Sequence, residues 1–287
     1  MQRIICLLLL LCAMQLNAQT DYSRLGKLYR LSSTYAMFPD SLRNVQPRVY
    51  QGKTYTAAEY YNDSSVFVFV PAHFNKKKDY ELIYWFHGWN NNIDSALKTF
   101  HLVEQFVAAK RNAIFIFPEG PKNAPDSYGG KFEQPEKFNF FTKDILKQLA
   151  DKKVIHTKYQ PKLILCGHSG AYKVISHVLE YNSFIVKGVV LFDALYGQQK
   201  IYANYLEQHI NCYFINIYTN NGGTLQNSVN FIKTLESKQL TVKHIEEQAL
   251  LNKENQMNKI LFVHSNLGHN EILSTTNYFE QFLKLIN

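Results

Sequence analysis

The 287-residue chain reads as an α/β protein with a mostly parallel central sheet of about eight strands and helices on both faces. Three observations predict this. Apolar runs of strand length recur from residue 65 onward, and segments with apolar residues at helical spacing fall between them. The runs are also apolar at successive positions, as in strands covered on both faces by helices. There is no internal repeat and no low-complexity linker, and the length suits one such domain with ample core to bury.

Residues 1–18 stand apart from that pattern. Met1-Gln2-Arg3 is a positive start, an apolar run follows from Ile4 to Met14, and small Ala18 precedes Gln19. This is the layout of a secretory signal peptide, with cleavage expected after Ala18 and a secreted or periplasmic product. The run is shorter than the roughly 20 residues a bilayer span takes. No second long apolar run exists, so no integral membrane segment is expected in the mature chain. Cys6 and Cys12 lie in the removed segment, and Ile5 and Leu11 stand where a lipidation signal would need small residues. Residues 19–62 are rich in Tyr, Arg and Ser with little periodicity. They read as an N-terminal extension leading into an edge strand, ahead of a main domain over 63–287.

From there the elements alternate. Val66 to Val70 is a strand ended by Pro71, and Glu81 to Phe86 is a second, closed by His87-Gly88-Trp89. A helix is predicted from Ser95 to Lys110, with Leu97, Phe100, Leu102, Val103 and Phe106 on its apolar side. Ala113 to Phe117 is a strand broken by Pro118-Glu119-Gly120-Pro121. The loop from Gly120 to Pro135 follows, expected to form one wall of a cleft, and then a helix from Phe138 to Asp151. Leu163-Ile164-Leu165-Cys166 is a strand that runs into Gly167-His168-Ser169-Gly170-Ala171. There the period changes, because Ala171, Val174, Ile175, Val178 and Leu179 share one helical face. Strands are predicted at Gly188 to Phe192, Cys212 to Tyr218 and Ile260 to His264. Helices are predicted at Ile201 to Gln208, at Asn227 to Ser237 and, as the last element, at Glu271 to Ile286.

The net charge is +8. Its one lysine run, Lys76-Lys77-Lys78, falls in a turn between strands and reads as a solvated loop, so no nucleic-acid partner is expected. Cys166 and Cys212 sit in strands that the topology separates by another strand, so both read as buried free thiols.

The chemistry centres on Ser169. A serine between small residues at a strand-to-helix turn is exposed at the sheet's edge, with backbone N–H groups free beside it. A serine hydroxyl becomes a nucleophile when a base takes its proton and a third group orients that base. His269 lies in a loop after the last core strand, where open α/β sheets gather their chemistry. His264 is the rival, but it still belongs to the strand. His168 points away from the serine and reads as structural. Asp193 directly follows four apolar residues at a strand's carboxyl end, where an unpaired charge is costly, and the imidazole of His269 would pair it. A helix-capping role for Asp193 is the alternative, with Asn220 as a fallback for orienting the histidine. The N–H groups of Trp89 and Gly170 would supply an oxyanion hole. No metal and no cofactor are called for.

These residues resemble the α/β-hydrolase fold superfamily from about Ser65 to Asn287. The resemblance implies Ser169 as nucleophile, His269 as base, and Trp89 and Gly170 as oxyanion donors. It implies Asp193 as the acid, at the less common position after the sixth strand. Ala171 departs from the usual glycine. The implied function is a secreted serine esterase that uses an acyl-enzyme on small or polymer-linked, including carbohydrate-linked, esters. Tyr196, Tyr128 and Tyr218 are the expected substrate-facing aromatics. A serine peptidase with the same residues, or a binding protein that keeps only the scaffold, are the alternatives.

Overall fold

The structure, a computed structural model, describes residues 21–156, 160–251 and 258–286. The signal-peptide expectation lies outside them. The strands are β1 (Gly26–Ser32), β2 (Arg48–Tyr50), β3 (Lys53–Tyr55), β4 (Ser65–Pro71), β5 (Glu81–Phe86) and β6 (Ala113–Pro118). They continue as β7 (Lys162–His168), β8 (Val186–Phe192), β9 (Tyr213–Thr219), β10 (Val242–Glu246) and β11 (Ile260–Ser265). Nine of them form one sheet in the order β1-β4-β6-β5-β7-β8-β9-β11-β10, while β2 and β3 make a separate hairpin. Within the sheet β4 pairs antiparallel with both β1 and β6, and the other neighbours are parallel.

The sheet is covered on both faces along its central strands because these are apolar at nearly every position. Leu82, Tyr84 and Phe86 of β5 join one core with Leu163 and Leu165 of β7. Ile83 and Trp85 join the opposite core with Ile164 and Cys166. Cys166 and Cys212 are buried free thiols, in β7 and just ahead of β9.

Three features of the region from residue 63 onward differ from the sequence expectation. The ninth strand is β10, Val242-Lys243-His244-Ile245-Glu246, whose single buried residue gives little apolar signal. The helix expected over 95–110 is two, Ile93–Thr99 and Leu102–Ala108, because His101 adopts a left-handed conformation (φ 48°). The carbonyl of Phe100 at that break accepts from Gln105 Nε2 at 2.8 Å, so the interruption leaves no orphan there. The last helix is also two, Glu271–Ser274 and Tyr278–Leu285. Between them Thr275 and Thr276 donate their hydroxyls back to Glu271 O and Ile272 O, and Tyr278 N–H donates to Thr276 Oγ1. Such side-chain bonds compete with the helical ladder.

The chain builds β5 and then places β6 on one side of it and β7 on the other. Strand order therefore reverses at β5, and a crevice opens beyond the carboxyl ends of β5 and β7. His87-Gly88-Trp89 and Ser169 both emerge there.

Candidate active site

Ser169 follows β7 directly with a left-handed backbone (φ 55°) and opens a short 3-10 turn that feeds the helix Tyr172–Tyr181. A non-glycine residue in that region carries strain of about 1–2 kcal/mol, which persists here because β7 and the helix fix both ends. Ala171, in place of the more usual glycine, is buried against Gly167, where any added side chain would come within 2.6 Å of the Ala171 methyl.

Asp193 follows β8, also left-handed (φ 44°), and is fully buried. Its Oδ2 accepts from His269 Nδ1 at 2.6 Å and from Thr219 Oγ1 at 2.8 Å. Its Oδ1 accepts from Thr219 N–H at 3.1 Å and from the Thr224 hydroxyl. Burial pushes this carboxyl up, and the hydrogen bonds from His269, Thr224 and Thr219 outweigh it, so the group stays below the usual carboxylate range. A carboxylate that only accepts fixes a proton of His269 on Nδ1.

His269 is held from two further sides. His168 donates from Nε2 to the His269 carbonyl at 3.0 Å, and the two rings lie 4.6 Å apart. Phe100 packs on the His168 ring at 5.2 Å. Burial, then the neighbouring His269, lowers the His168 pKa from 6.5 to about 3, so His168 stays neutral. Below pH 6.5 an unfolded chain takes up a proton that folded His168 refuses, so stability falls with pH across that window down to about 3. Between pH 7 and pH 5 the wild type is expected to lose about 2 kcal/mol more than His168→Gln, read from urea midpoints. Parallel declines in the two proteins would show that His168 already titrates in the native state.

Among the described residues no hydrogen bond joins Ser169 to His269. Ser169 lies beside the Tyr196 hydroxyl, which itself donates to Gly222 O. Tyr196, pushed up to about 12 mainly by burial, stays protonated. Its ring stands 6.4 Å from that of His269.

Gly88 lies directly on the serine. A side-chain carbon there would fall 2.5 Å from Ser169 Cβ and 3.1 Å from Gly170 N. His87, buried, contacts Gly88 O through Nδ1 at 2.6 Å and Glu119 Oε1 through Nε2 at 3.0 Å. Because the Gly88–Trp89 peptide is planar and trans, fixing its carbonyl toward His87 turns the Trp89 N–H the opposite way. Nothing in the apolar pattern marked Glu119. Its only sequence signal was a carboxylate immediately after a fully apolar strand.

The remaining candidates fall elsewhere. His264 is engaged with Glu246 at 2.9 Å and with Asn220 Oδ1 at 2.8 Å, so neither of them faces His269. Tyr218 is buried, with its hydroxyl on His244 Nε2 at 2.7 Å and its ring on His264, and is not at the serine. Tyr128 is buried in the wall beside Gly170, with its hydroxyl donated to Asp40 at 2.6 Å.

Several solved structures are similar to this chain. A ferulic acid esterase superposes with a TM-score of 0.57 at 14% identity, over 92% of this chain and 99% of that one. An S-formylglutathione hydrolase from Staphylococcus aureus gives 0.52 at 11% identity, over 92% and 98%. A mutant of the feruloyl esterase module from Clostridium thermocellum, complexed with sinapinate, gives 0.52 at 12% identity, over 92% and 88%. No family model and no curated protein sequence matches the chain. With a nine-stranded, mostly parallel sheet reversing order at β5, and neighbours of this kind along nearly its whole length, the chain has the α/β-hydrolase fold.

Proposed function

We propose that this protein is a serine hydrolase of carboxylic esters, with Ser169 as nucleophile, His269 as base and Asp193 as the acid. The observation that carries the reading is the 2.6 Å bond from His269 Nδ1 to buried Asp193, at the end of the strand next to the one that presents Ser169. A buried carboxylate with four donors, one of them an imidazole in a cleft, is the arrangement that orients a histidine and fixes which ring nitrogen faces the serine.

In the reaction Ser169 Oγ turns from Tyr196 to His269 Nε2 and gives up its proton as it attacks the ester carbonyl. Looser contacts in a free enzyme that tighten with substrate are ordinary for such pairs. The N–H groups of Trp89 and Gly170 receive the oxyanion, each contributing on the order of 3 kcal/mol in the transition state. The imidazolium, stabilised by ionised Asp193, returns the proton to the departing alcohol, and water then releases the acyl group by the same route. Tyr196 flanks the site and favours an acyl or alcohol group with a flat, apolar face, while Tyr128, buried under Arg43, shapes the wall without offering a face of its own.

The esterase names of the similar structures favour ester over amide substrates. Residues 1–18 act as an export signal, and residues 19–62 form an N-terminal extension that supplies β1, the edge strand of the hydrolase sheet. Among the described residues no helix is long and apolar enough to cross a membrane.

A fluorophosphonate probe tests the reading, since its fluoride is displaced by an activated serine oxygen. The wild type is expected to gain one phosphonyl group, mapped by peptide mass spectrometry to the peptide containing Ser169. No adduct, or an adduct elsewhere, would overturn the assignment.

A further inference from the structure

Above the serine stands a group of side chains that the hydrolytic reaction does not use. The hairpin β2–β3 turns through Gln51 and Gly52, both left-handed, and brings Arg48 and Tyr50 onto Trp89. The Arg48 guanidinium lies 5.6 Å from the centres of both the Tyr50 and Trp89 rings. The two rings meet edge to face at 5.4 Å. Trp89 rests directly on Gly170, where a side-chain carbon would come within 2.7 Å of its Cδ1. Its indole N–H donates to Ser127 Oγ at 2.8 Å, and the residue is 39% exposed. One indole ring therefore separates Arg48 from the residue next to the nucleophile.

Arg48 is ordered without being neutralised. Its Nε donates to Pro125 O at 3.2 Å, and among the described residues no carboxylate pairs with it. The nearest acid on that loop, Asp126, is buried. It accepts from Arg43 at 2.6 Å, the Tyr61 hydroxyl at 2.9 Å and Tyr128 N–H at 3.1 Å. Asp126 is thus committed to Arg43 and not to Arg48. A guanidinium pinned by stacking and a single Nε bond keeps its terminal N–H groups free for a planar, two-oxygen acceptor, and its rotamer entropy is already lost.

We propose that Arg48, with Tyr50 and Trp89, forms a carboxylate-binding subsite at the mouth of the Ser169 pocket, selecting esters whose acyl or alcohol part carries a carboxylate beyond the scissile bond. The inference rests on the ester-hydrolase reading for its kinetic form. The Trp89 N–H belongs to the oxyanion site while its indole carries Arg48, so one residue joins the reacting carbonyl to the charged end of the substrate. A charge-assisted bond at this half-buried position contributes roughly tenfold or more in kcat/KM.

Two matched ester pairs test it: p-nitrophenyl butyrate against mono-p-nitrophenyl glutarate, and phenyl acetate against 4-carboxyphenyl acetate, in wild type, Arg48→Gln and Arg48→Lys. In at least one pair Arg48→Gln is expected to lower kcat/KM for the carboxylate ester about tenfold more than for its neutral partner, mainly through KM. Arg48→Lys restores part of the loss, and added salt shrinks the wild-type preference. Equal losses on both members of each pair, or no loss on either, would overturn the subsite. Binding of glutarate to the Ser169→Ala protein, followed by calorimetry, separates the two readings because it needs no turnover. Glutarate binding weakened tenfold by Arg48→Gln upholds the subsite even where no ester is cleaved, and binding indifferent to Arg48 overturns it even where esters are.

Discussion

Ser169→Ala is expected to lower kcat on p-nitrophenyl butyrate by on the order of 10^5-fold, since the acyl-enzyme route closes when its nucleophile is removed. On the proposed mechanism, the remaining rate is what oriented binding and the Trp89 and Gly170 N–H groups would supply to attack by water. Folding should hardly notice the change. Tyr196 keeps its bond to Gly222 O, and alanine occupies the left-handed position no worse than serine does. A thermal midpoint within about 2 °C of the wild type, together with lost turnover, is therefore the expected pair of results. Retained hydrolysis would remove Ser169 from the chemistry.

Asp193→Asn is expected to cost about 10^4-fold in kcat, through the histidine and not through contact with substrate. An amide offers a donor where the carboxylate offered only acceptors, and Thr219 N–H, both threonine hydroxyls and His269 Nδ1–H all converge on it. The imidazole then favours the tautomer with its proton on Nε2, facing the serine it should deprotonate. Because the residue is fully buried, turning a converging donor against an amide N–H also costs about 1–3 kcal/mol of stability. Kinetics at saturating ester and urea unfolding measure the two effects separately. A near-wild-type kcat with lowered stability would make Asp193 a cap of its own turn and move the acid elsewhere.

The order of strands and helices was readable because buried parallel strands are apolar at every position, and the helices between them are apolar on one face. That made β5, β7 and β8 plain, and with them the loops that carry Trp89, Ser169 and Asp193. The reading weakened where local bonding beat periodicity. At His101 a left-handed residue interrupts an unbroken apolar stripe, and at Thr275-Thr276 two hydroxyls turn back onto the helix. The β2–β3 hairpin was missed because its residues are mostly exposed and owe their place to Trp89, far along the chain.

What sequence alone determined about this protein is the α/β class, the turn that lifts Ser169 out of β7, and the short list of residues able to serve it. Each is a local property, a matter of period and of small residues beside a strand. Which histidine meets Asp193, that Tyr218 turns to His244 instead of the cleft, that Ser169 rests against Tyr196, and that Arg48 lies over Trp89 were decided only by tertiary structure. Each of these depends on the approach of segments tens of residues apart, and the register between strands that brings them together is set by the whole core.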